Sequence, residues 1–239
     1  MTEELFRADH YLKECEATVI GVEPRGVQLD RTVFYVMGGG QPGDSGTLKL
    51  ADGRTVRIAD TRKGELPGEI FHVLEAGEVP PAVGDKVVAE IDWARRHRHM
   101  RIHTSLHLLC AVIPAGVTGG QIGDGKGRLD FDTQETLDKD AITARVNALI
   151  AEDHKVGVRW ITDEELAAKP DLVRTMSVKP PSGQGRVRLL DIEGVDLQPC
   201  GGTHVARTGE IGPVVITKIE NKGKHNRRVN IAFAEQGTG

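Results

Sequence analysis

The chain has 239 residues, of which 38% are hydrophobic and 28% are charged, and its formal net charge is −4. This composition is that of a soluble globular protein with one large or two small domains, and it argues against disorder and against indiscriminate nucleic-acid binding. The apolar runs are shorter than the ~20 residues of a membrane span, the N-terminus lacks a signal-peptide pattern, and three cysteines suit a reducing compartment, so we expect a cytoplasmic protein with no membrane partner.

The first 92 residues contain short strand-like runs separated by turn signals. Strands are predicted at residues 16–22, 27–36, 54–60, 69–74 and 85–92. Short strands at regular spacing are typical of a small barrel or sandwich. We therefore predict a β-barrel-like domain over residues 1–92.

A glycine-rich segment, GGGQPGDSG at residues 38–46, interrupts these strands. Glycine adopts positive φ at little cost and lets another backbone approach closely. The segment is either an ordinary turn between strands or a loop laid against a ligand. Its candidate functional residues are Gly38, Gly39, Gly40, Gln41, Gly43 and Asp44.

The stretch from Trp93 to Ile113 lacks glycine and proline, and its apolar residues recur at helical spacing. It is therefore predicted to form an amphipathic helix, on which His103 and His107 lie one turn apart on one face. Two imidazoles so placed can reach one metal ion ~2.0 Å from each nitrogen. Taken alone this motif is weak, and Thr104 stands where zinc metalloproteases carry their catalytic glutamate, which argues against that class.

The rest of the chain mixes helices and strands without a regular βαβ alternation. A helix is predicted around the apolar stripe of residues 142–150. A second, short helix is predicted to begin after Thr162, because Thr162 and Glu165 fit a capping box, and to end before Pro170. Strands are predicted at residues 128–132, 156–162, 186–192, 213–220 and 228–234. Residues 93–239 are therefore predicted to form a second domain with an α+β fold and a largely antiparallel sheet.

Cys200 and His204 flank a small, glycine-bearing turn that lets a thiolate and an imidazole converge. Zinc accepts nitrogen and sulfur ligands, so these two residues and the helical pair make a candidate tetrahedral set. Only the fold can bring together pairs so distant in sequence. Cys110 is the chief rival ligand, although its apolar neighbours favour helix packing.

Several of these motifs, in this order, carry a family resemblance. The segments HTSLHLL, RVRLLDIEG, PCGGTHVARTGEIG and RRVNIAF closely resemble the editing domain of alanyl-tRNA synthetases and their freestanding relatives, the AlaX proteins. The N-terminal FYVMGGGQPGDSG is similar to the glycine-rich motif of the longer AlaX type. The resemblance covers nearly the whole chain.

The resemblance implies hydrolysis of the ester of a mischarged tRNA(Ala), chiefly seryl-tRNA(Ala) and also glycyl-tRNA(Ala). It further implies that catalysis proceeds through a zinc ion (Zn2+) bound by His103, His107, Cys200 and His204. Gln121 is similar to a glutamine that lines the family's amino-acid pocket. Thr104 and Thr203, which adjoin ligands, are candidates for contacting the substrate or for supporting the ligands.

Zinc chemistry suits such a reaction, because zinc polarises a carbonyl and lowers the pKa of its water toward about 7. Four protein ligands, however, also describe a closed structural site. Catalysis then needs one ligand to yield, five-coordination, or an ion that only orients the substrate amine. The sequence leaves these alternatives open.

Cations of two basic groups are candidates for contacting tRNA phosphates, which would make the affinity depend on salt. These cations are Arg95, Arg98, Lys222, Lys224, Arg227 and Arg228. Arg96 is predicted to lie nearer the ligand face of the helix and is a candidate for contacting the terminal adenosine of the tRNA. No DNA partner is expected. Two rival functions stay open: editing of another mischarged tRNA, as in threonyl-tRNA synthetases, and non-catalytic tRNA binding with a structural zinc.

Overall fold

The computed structural model describes residues 1–169, 172–173 and 185–234. It divides into two compact units, residues 1–97 and 98–239, and the division falls within the long helix α1, Trp93–Val112. The predicted domain boundary between residues 92 and 93 stays a prediction. Among the described residues, no helix is both long enough and apolar enough to cross a membrane.

The first unit contains a closed six-stranded barrel. The strands of this unit are β1 (Glu3–Glu4), β2 (Glu14–Glu23), β3 (Gly26–Leu29), β4 (Arg31–Thr32), β5 (Gly46–Leu50), β6 (Thr55–Lys63), β7 (Ile70–Leu74) and β8 (Lys86–Ile91). The barrel order is β2-β3-β7-β6-β5-β8, and β1 pairs with β4 in parallel outside it. Alternate residues of the strands, such as Val56 and Ile58 of β6, point into a fully buried apolar core. The predicted barrel-like architecture is confirmed.

One predicted strand, residues 27–36, is wrong in its extent. β3 ends at Leu29, and residues 33–36 are buried without joining a strand. Their backbone groups bond to side chains instead: Phe34 N donates to Thr32 Oγ1 at 3.0 Å, and Tyr35 N donates to Asp44 Oδ2 at 2.7 Å. A segment whose backbone is satisfied in this way can be buried outside a sheet.

The glycine-rich segment forms a tight turn and then packs on β6. Gly38 and Gln41 exchange backbone hydrogen bonds around Gly39 and Gly40, whose φ angles are +58° and +82°. A Cβ at Gly43 would lie 2.2 Å from Thr61 O, so only glycine allows this approach. The backbone of β6 is therefore what the loop lies against in this structure.

Asp44 closes this segment with a buried ion pair. Its Oδ2 atom accepts from Arg96 Nε at 2.8 Å and also from Arg96 Nη2, and both side chains are almost completely buried. The Arg96 guanidinium also donates to Val33 O at 2.7 Å and to His10 O at 3.0 Å. The pair thus links α1 to the glycine-rich segment and to the irregular chain before it.

In its described residues, the second unit contains two antiparallel sheets, three α-helices and a short 3-10 helix at Thr208–Ile211. In addition to the C-terminal part of α1, its elements are β9 (Gly116–Gly123), β10 (Lys126–Asp132), α2 (Lys139–Ala151), β11 (Val156–Ile161), α3 (Asp163–Ala167), β12 (Val187–Ile192), β13 (Asp196–Pro199), β14 (Val214–Asn221) and β15 (Asn226–Phe233). The sheet orders are β14-β15-β10-β9 and β11-β12-β13. The predicted α+β class with antiparallel sheets is confirmed.

The helices obey the local signals in the sequence. The stripe of α2, which includes Ile142 and Val146, is buried, and the capping box of α3 joins Thr162 and Glu165 in both directions. The predicted stop at Pro170 lies outside the described residues. Strands β5, β9 and β13 were not predicted, because each is short or rich in glycine.

The prediction that α1 is amphipathic is wrong for its C-terminal half. Every residue from Ile102 to Cys110 is buried. A Cβ at Gly127 of β10 would lie 2.8 Å from Ile102 Cγ2, which places β10 on one side of the helix. His107 meets Asp196 of β13 on another side. A helix covered on several sides must satisfy its polar side chains internally.

The buried ion pair makes a testable prediction about stability. We expect Asp44→Ala to lower the free energy of unfolding by about 3–5 kcal/mol, because it strands the Arg96 cation in the interior. Adding Arg96→Met should recover part of this loss, since it removes the unpaired charge. Urea denaturation of the two single variants and the double variant measures the coupling, and strictly additive losses would contradict a direct interaction.

Candidate metal centre

Four predicted ligands meet at one point in the second unit. His103 and His107 come from α1, and Cys200 and His204 come from the turn after β13. One donor atom from each lies within 4.8 Å of the donors of the other three. The sequence predicted these pairs separately, and the fold brings them together.

The local sequence explains how α1 presents its pair. Asp92 Oδ1 accepts from Arg95 N at 3.0 Å and caps the first turn of the helix, and the helix ends before Pro114. The uninterrupted helix between these points holds the His103 and His107 rings with centroids 5.4 Å apart. The spacing of four residues is therefore realised as one shared face.

The donor set fits a zinc ion in composition and in spacing. Two atoms bound tetrahedrally to one zinc at about 2.0–2.3 Å lie about 3.5 Å apart. Cys200 Sγ lies 3.5 Å from His103 Nε2 and 3.2 Å from His204 Nε2. Three imidazoles and one thiol are a ligand combination typical of zinc.

A carboxylate orients His107. Asp196 Oδ2 accepts from His107 Nδ1 at 3.2 Å and from Gln198 Nε2 at 2.6 Å, and all three side chains are buried. Because the Nδ1 proton is directed at the carboxylate, the Nε2 lone pair is left for the cluster. A carboxylate behind a histidine is the usual arrangement around a metal-binding imidazole.

Thr104 orients His204 in the same way. Its hydroxyl donates to Met100 O at 2.9 Å and accepts from Val205 N at 3.3 Å, and it lies 3.3 Å from His204 Nδ1. Since the only hydroxyl proton goes to Met100, His204 Nδ1 must be the donor in this contact. His204 therefore also presents its Nε2 lone pair towards Cys200.

Arg188 holds the turn that carries Cys200. Its Nη1 atom donates to Cys200 O at 2.6 Å and to Gly202 O at 3.2 Å, and Cys200 N donates to Arg188 O at 3.2 Å. These bonds fix the backbone on both sides of Gly201. The thiol therefore has a defined direction although its turn contains two glycines.

The cluster shifts the titration of its own members. Burial raises the pKa of the Cys200 thiol, but the charges of His103 and His204 and hydrogen bonds from His103 and His107 bring that pKa well below its ordinary value. Burial lowers the pKa of His107, but hydrogen bonds with Asp196 and Cys200 outweigh it and raise that pKa to about 9. Burial, and then the charge of His103, hold the pKa of His204 well below its ordinary range. Without a metal, these shifts favour the thiolate form of Cys200 and the protonated form of His107.

The three predicted substrate contacts are placed differently. Thr104 is fully buried, and Thr203 is buried beside His204. Gln121 is exposed on β9 and pairs with Arg128 of β10. Side chains paired across strands share a face, and neighbours along a strand alternate. Since Gly127 faces α1, Gln121 lies on the opposite face of the sheet from the helical histidines.

The prediction that Arg96 contacts tRNA is wrong, because its guanidinium is completely buried and bonded to Asp44 and to backbone carbonyls. The other predicted cations are half-buried or exposed. Several have protein partners, for example Arg228, which binds both oxygens of Asp130, and Arg98, which binds Asp124 at 2.6 Å. Arg95, Lys222, Lys224 and Arg227 complete this set.

Comparison with known proteins gives matches over both units. Residues 187–230 match the family described as "Threonyl and Alanyl tRNA synthetase second additional domain", and residues 5–95 match "tRNA synthetases class II (A)". The chain is 40% identical to an alanyl-tRNA editing protein AlaX-M of Methanosarcina mazei, over 100% of this chain and 99% of the relative. It is 41% identical to AlaX-M of Methanosarcina barkeri, over 98% and 100%. It is also 35% identical to an alanine–tRNA ligase of Metallosphaera sedula, over 92% of this chain and 25% of the ligase.

The lowered pKa of Cys200 makes a testable prediction. In metal-free protein, we expect the rate of alkylation of Cys200 by iodoacetamide to level off at a lower pH than that of an ordinary thiol, because the lowered pKa favours the reactive thiolate. Cys15 is the control, since burial raises the pKa of its thiol and its reaction should accelerate as the pH rises. Mass spectrometry of the labelled peptides measures both rates. A rate at Cys200 that levels off at the same pH as the rate at Cys15, or at a higher pH, would contradict the assignment.

Proposed function

This chain belongs to the AlaX family of alanyl-tRNA editing proteins, and on that basis we propose that it hydrolyses the ester of mischarged tRNA(Ala) in the cytoplasm. The proposed substrate is seryl-tRNA(Ala), with glycyl-tRNA(Ala) as a second one. The observation that carries the proposal is the convergence of four side chains that could hold a metal ion, in a chain similar from end to end to editing proteins. The proposed cofactor is zinc, held by His103, His107, Cys200 and His204.

A bound zinc would supply Lewis acidity to the ester carbonyl and lower the pKa of a water molecule. The residues around the cluster keep the donor atoms in place for that ion. Asp196 directs the Nε2 lone pair of His107 inward, and Thr104 does the same for His204. We therefore propose that Thr104 supports a ligand through its hydroxyl, which already has several protein partners.

Selection of serine over alanine needs a site that uses the extra hydroxyl. A polar group that loses its partner when buried is costly, by about 1–3 kcal/mol, so a pocket built around the serine hydroxyl discriminates against alanine. Thr203 is the leading candidate for this contact, because it is buried next to His204. We assign no such contact to Gln121, because it is exposed on the far face of its sheet.

The tRNA would be held largely through its phosphates. The exposed and half-buried cations Arg95, Arg98, Lys222, Lys224, Arg227 and Arg228 are the proposed contacts. Where such a cation already has a carboxylate partner, as Arg228 has in Asp130, it must share its donors with the RNA. Binding is therefore expected to weaken with salt although the chain is acidic overall.

A deacylation assay on seryl-, glycyl- and alanyl-tRNA(Ala) tests this function. We expect purified zinc-loaded protein to release serine fastest and alanine slowest, and His103→Ala to lose turnover while keeping most tRNA binding, because the variant removes a metal ligand and no surface cation. No release above the uncatalysed rate, with zinc present, would favour the non-catalytic binding module. Release from another mischarged tRNA alone would favour the threonyl-type specificity.

The role of Asp196 is tested by metal affinity. We expect Asp196→Asn to weaken zinc binding about 10- to 100-fold in a chelator competition, because the carboxylate no longer orients His107. Asp191→Asn is the matched control: Asp191 lies on β12 of the same sheet but on its other face, where it binds Arg159 at 2.6 Å. Equal affinities for the two variants would exclude the proposed role.

A further inference from the structure

An exposed tryptophan lies at the edge of the sheet that carries the metal-binding turn. Trp160 on β11 is 53% exposed, and Val158, two residues before it, is 40% exposed. Within the described residues, β11 is an outer strand of its three-stranded sheet: it pairs with β12, and Val156 N at its start donates to Ala206 O at 2.9 Å. Exposed tryptophan side chains are common at binding sites, because the indole ring offers a large flat apolar face.

The strand register puts Trp160 on the same face as the candidate metal centre. Trp160 pairs with Arg188, and Leu190 pairs with Gln198 of β13. Paired side chains share a face, and so do Arg188 and Leu190, which are two residues apart on β12. Trp160, Arg188 and Gln198 therefore all project to one side of the sheet. Gln198 bonds to Asp196, which in turn bonds to His107. This face is therefore the one that looks towards α1.

The opposite face is accounted for by packing. Val187 and Leu189 of β12 form a buried apolar cluster with Leu166 of α3, and Ile161 of β11 packs against it. Trp160 has no part in that cluster. Trp160 therefore remains exposed on the face that also carries the candidate metal centre.

The separation between Trp160 and the cluster suits one nucleoside. Arg188 bonds directly to the Cys200 turn, and neighbouring strands lie about 4.8 Å apart, so the backbone of Trp160 is two strand spacings, about 10 Å, from that of Cys200. An ester at the end of a tRNA is attached to a ribose whose own base lies on the other side of the sugar. With the ester at the cluster, that base falls within reach of the indole ring.

We propose that Trp160 stacks on the base of the nucleotide that carries the ester, and so positions the ester at the cluster. This inference rests on the proposed function. Proteins hold single-stranded RNA ends by stacking bases on aromatic side chains, and the tRNA end is such a strand. Arg186, exposed just before β12, adds positive charge beside this surface for the phosphate.

Self-association through the outer edge of β11 is the competing use of this surface. The nucleobase is favoured, because the middle of β11 carries Arg159, an exposed charge of the kind that discourages edge-to-edge pairing. A second copy of the chain is thus an outcome that the experiment must be able to detect.

Binding is measured first, with an unacylated RNA hairpin that ends in CCA. We expect the hairpin to quench the fluorescence of wild-type protein. Trp160→Phe should abolish this quench but bind with nearly wild-type affinity, because it keeps an aromatic ring. Trp160→Ala should bind about tenfold more weakly, ~1.4 kcal/mol at 25 °C. A hairpin without the terminal adenosine should not distinguish Trp160→Ala from wild type.

Turnover then separates this inference from the proposed function. On the seryl hairpin, Trp160→Ala should raise KM about tenfold with kcat changed less than about threefold, and Trp160→Phe should behave as wild type. If wild type hydrolyses the substrate and Trp160→Ala has the same KM and hairpin affinity, the stacking role is wrong and the function stands. If wild type fails to hydrolyse it but the quench is present, the function fails and the RNA contact stands. A change in sedimentation of Trp160→Ala with unchanged RNA affinity would assign the surface to self-association and overturn the proposal.

Discussion

The constraint on which the site depends is the burial of a polar helix. From Ile102 to Cys110, α1 has no exposed residue, yet this stretch includes two histidines, a threonine and a serine. Each hydroxyl is satisfied within the helix: Thr104 donates to Met100 O, and Ser105 donates to Ile102 O at 2.7 Å. The imidazoles cannot be satisfied in this way, so partners must come from elsewhere in the fold. Asp196, Cys200 and His204 are those partners.

The surroundings of the cluster divide into two kinds of support. Side-chain partners set the direction of each imidazole, as Asp196 does for His107 and Thr104 does for His204. Backbone partners set the path of the chain, as Arg188 does for the Cys200 turn. One partner of each kind depends on the pairing of β12 with β13, because Arg188 and Asp196 lie on these strands, whereas Thr104 lies on α1. The positions of the Cys200 and His107 donor atoms thus depend in part on this small sheet.

The sequence predicted much of this architecture and less of its detail. The barrel, the α+β class and the capping box of α3 follow from local patterns, which depend on near neighbours. The extent of the strand that begins near Val27 could not be predicted from local patterns, because Tyr35 bonds to the carboxylate of Asp44, nine residues further on. The donor pairs were visible as spacings, whereas Arg188, Asp196 and Gln198 were missed because nothing in their own spacing indicates a ligand. The alternation of Asp196, Gln198 and Cys200 along β13 and into its turn was the available signal. Arg96 was wrongly predicted to contact tRNA because its partner, Asp44, is distant in sequence.

Because the pKa of His107 is raised, metal binding at this site must release a proton. At neutral pH the metal-free imidazole carries a proton on the nitrogen that faces the cluster, because the other nitrogen bonds to Asp196. An incoming cation must displace that proton, so below about pH 9 its apparent affinity should fall as the solution becomes more acidic. The lowered pKa of Cys200 favours its thiolate, which attracts the cation and reduces the number of protons that must be released at this ligand. Loading of this centre is thus an exchange of one positive charge for another, in which acidity competes directly with the metal.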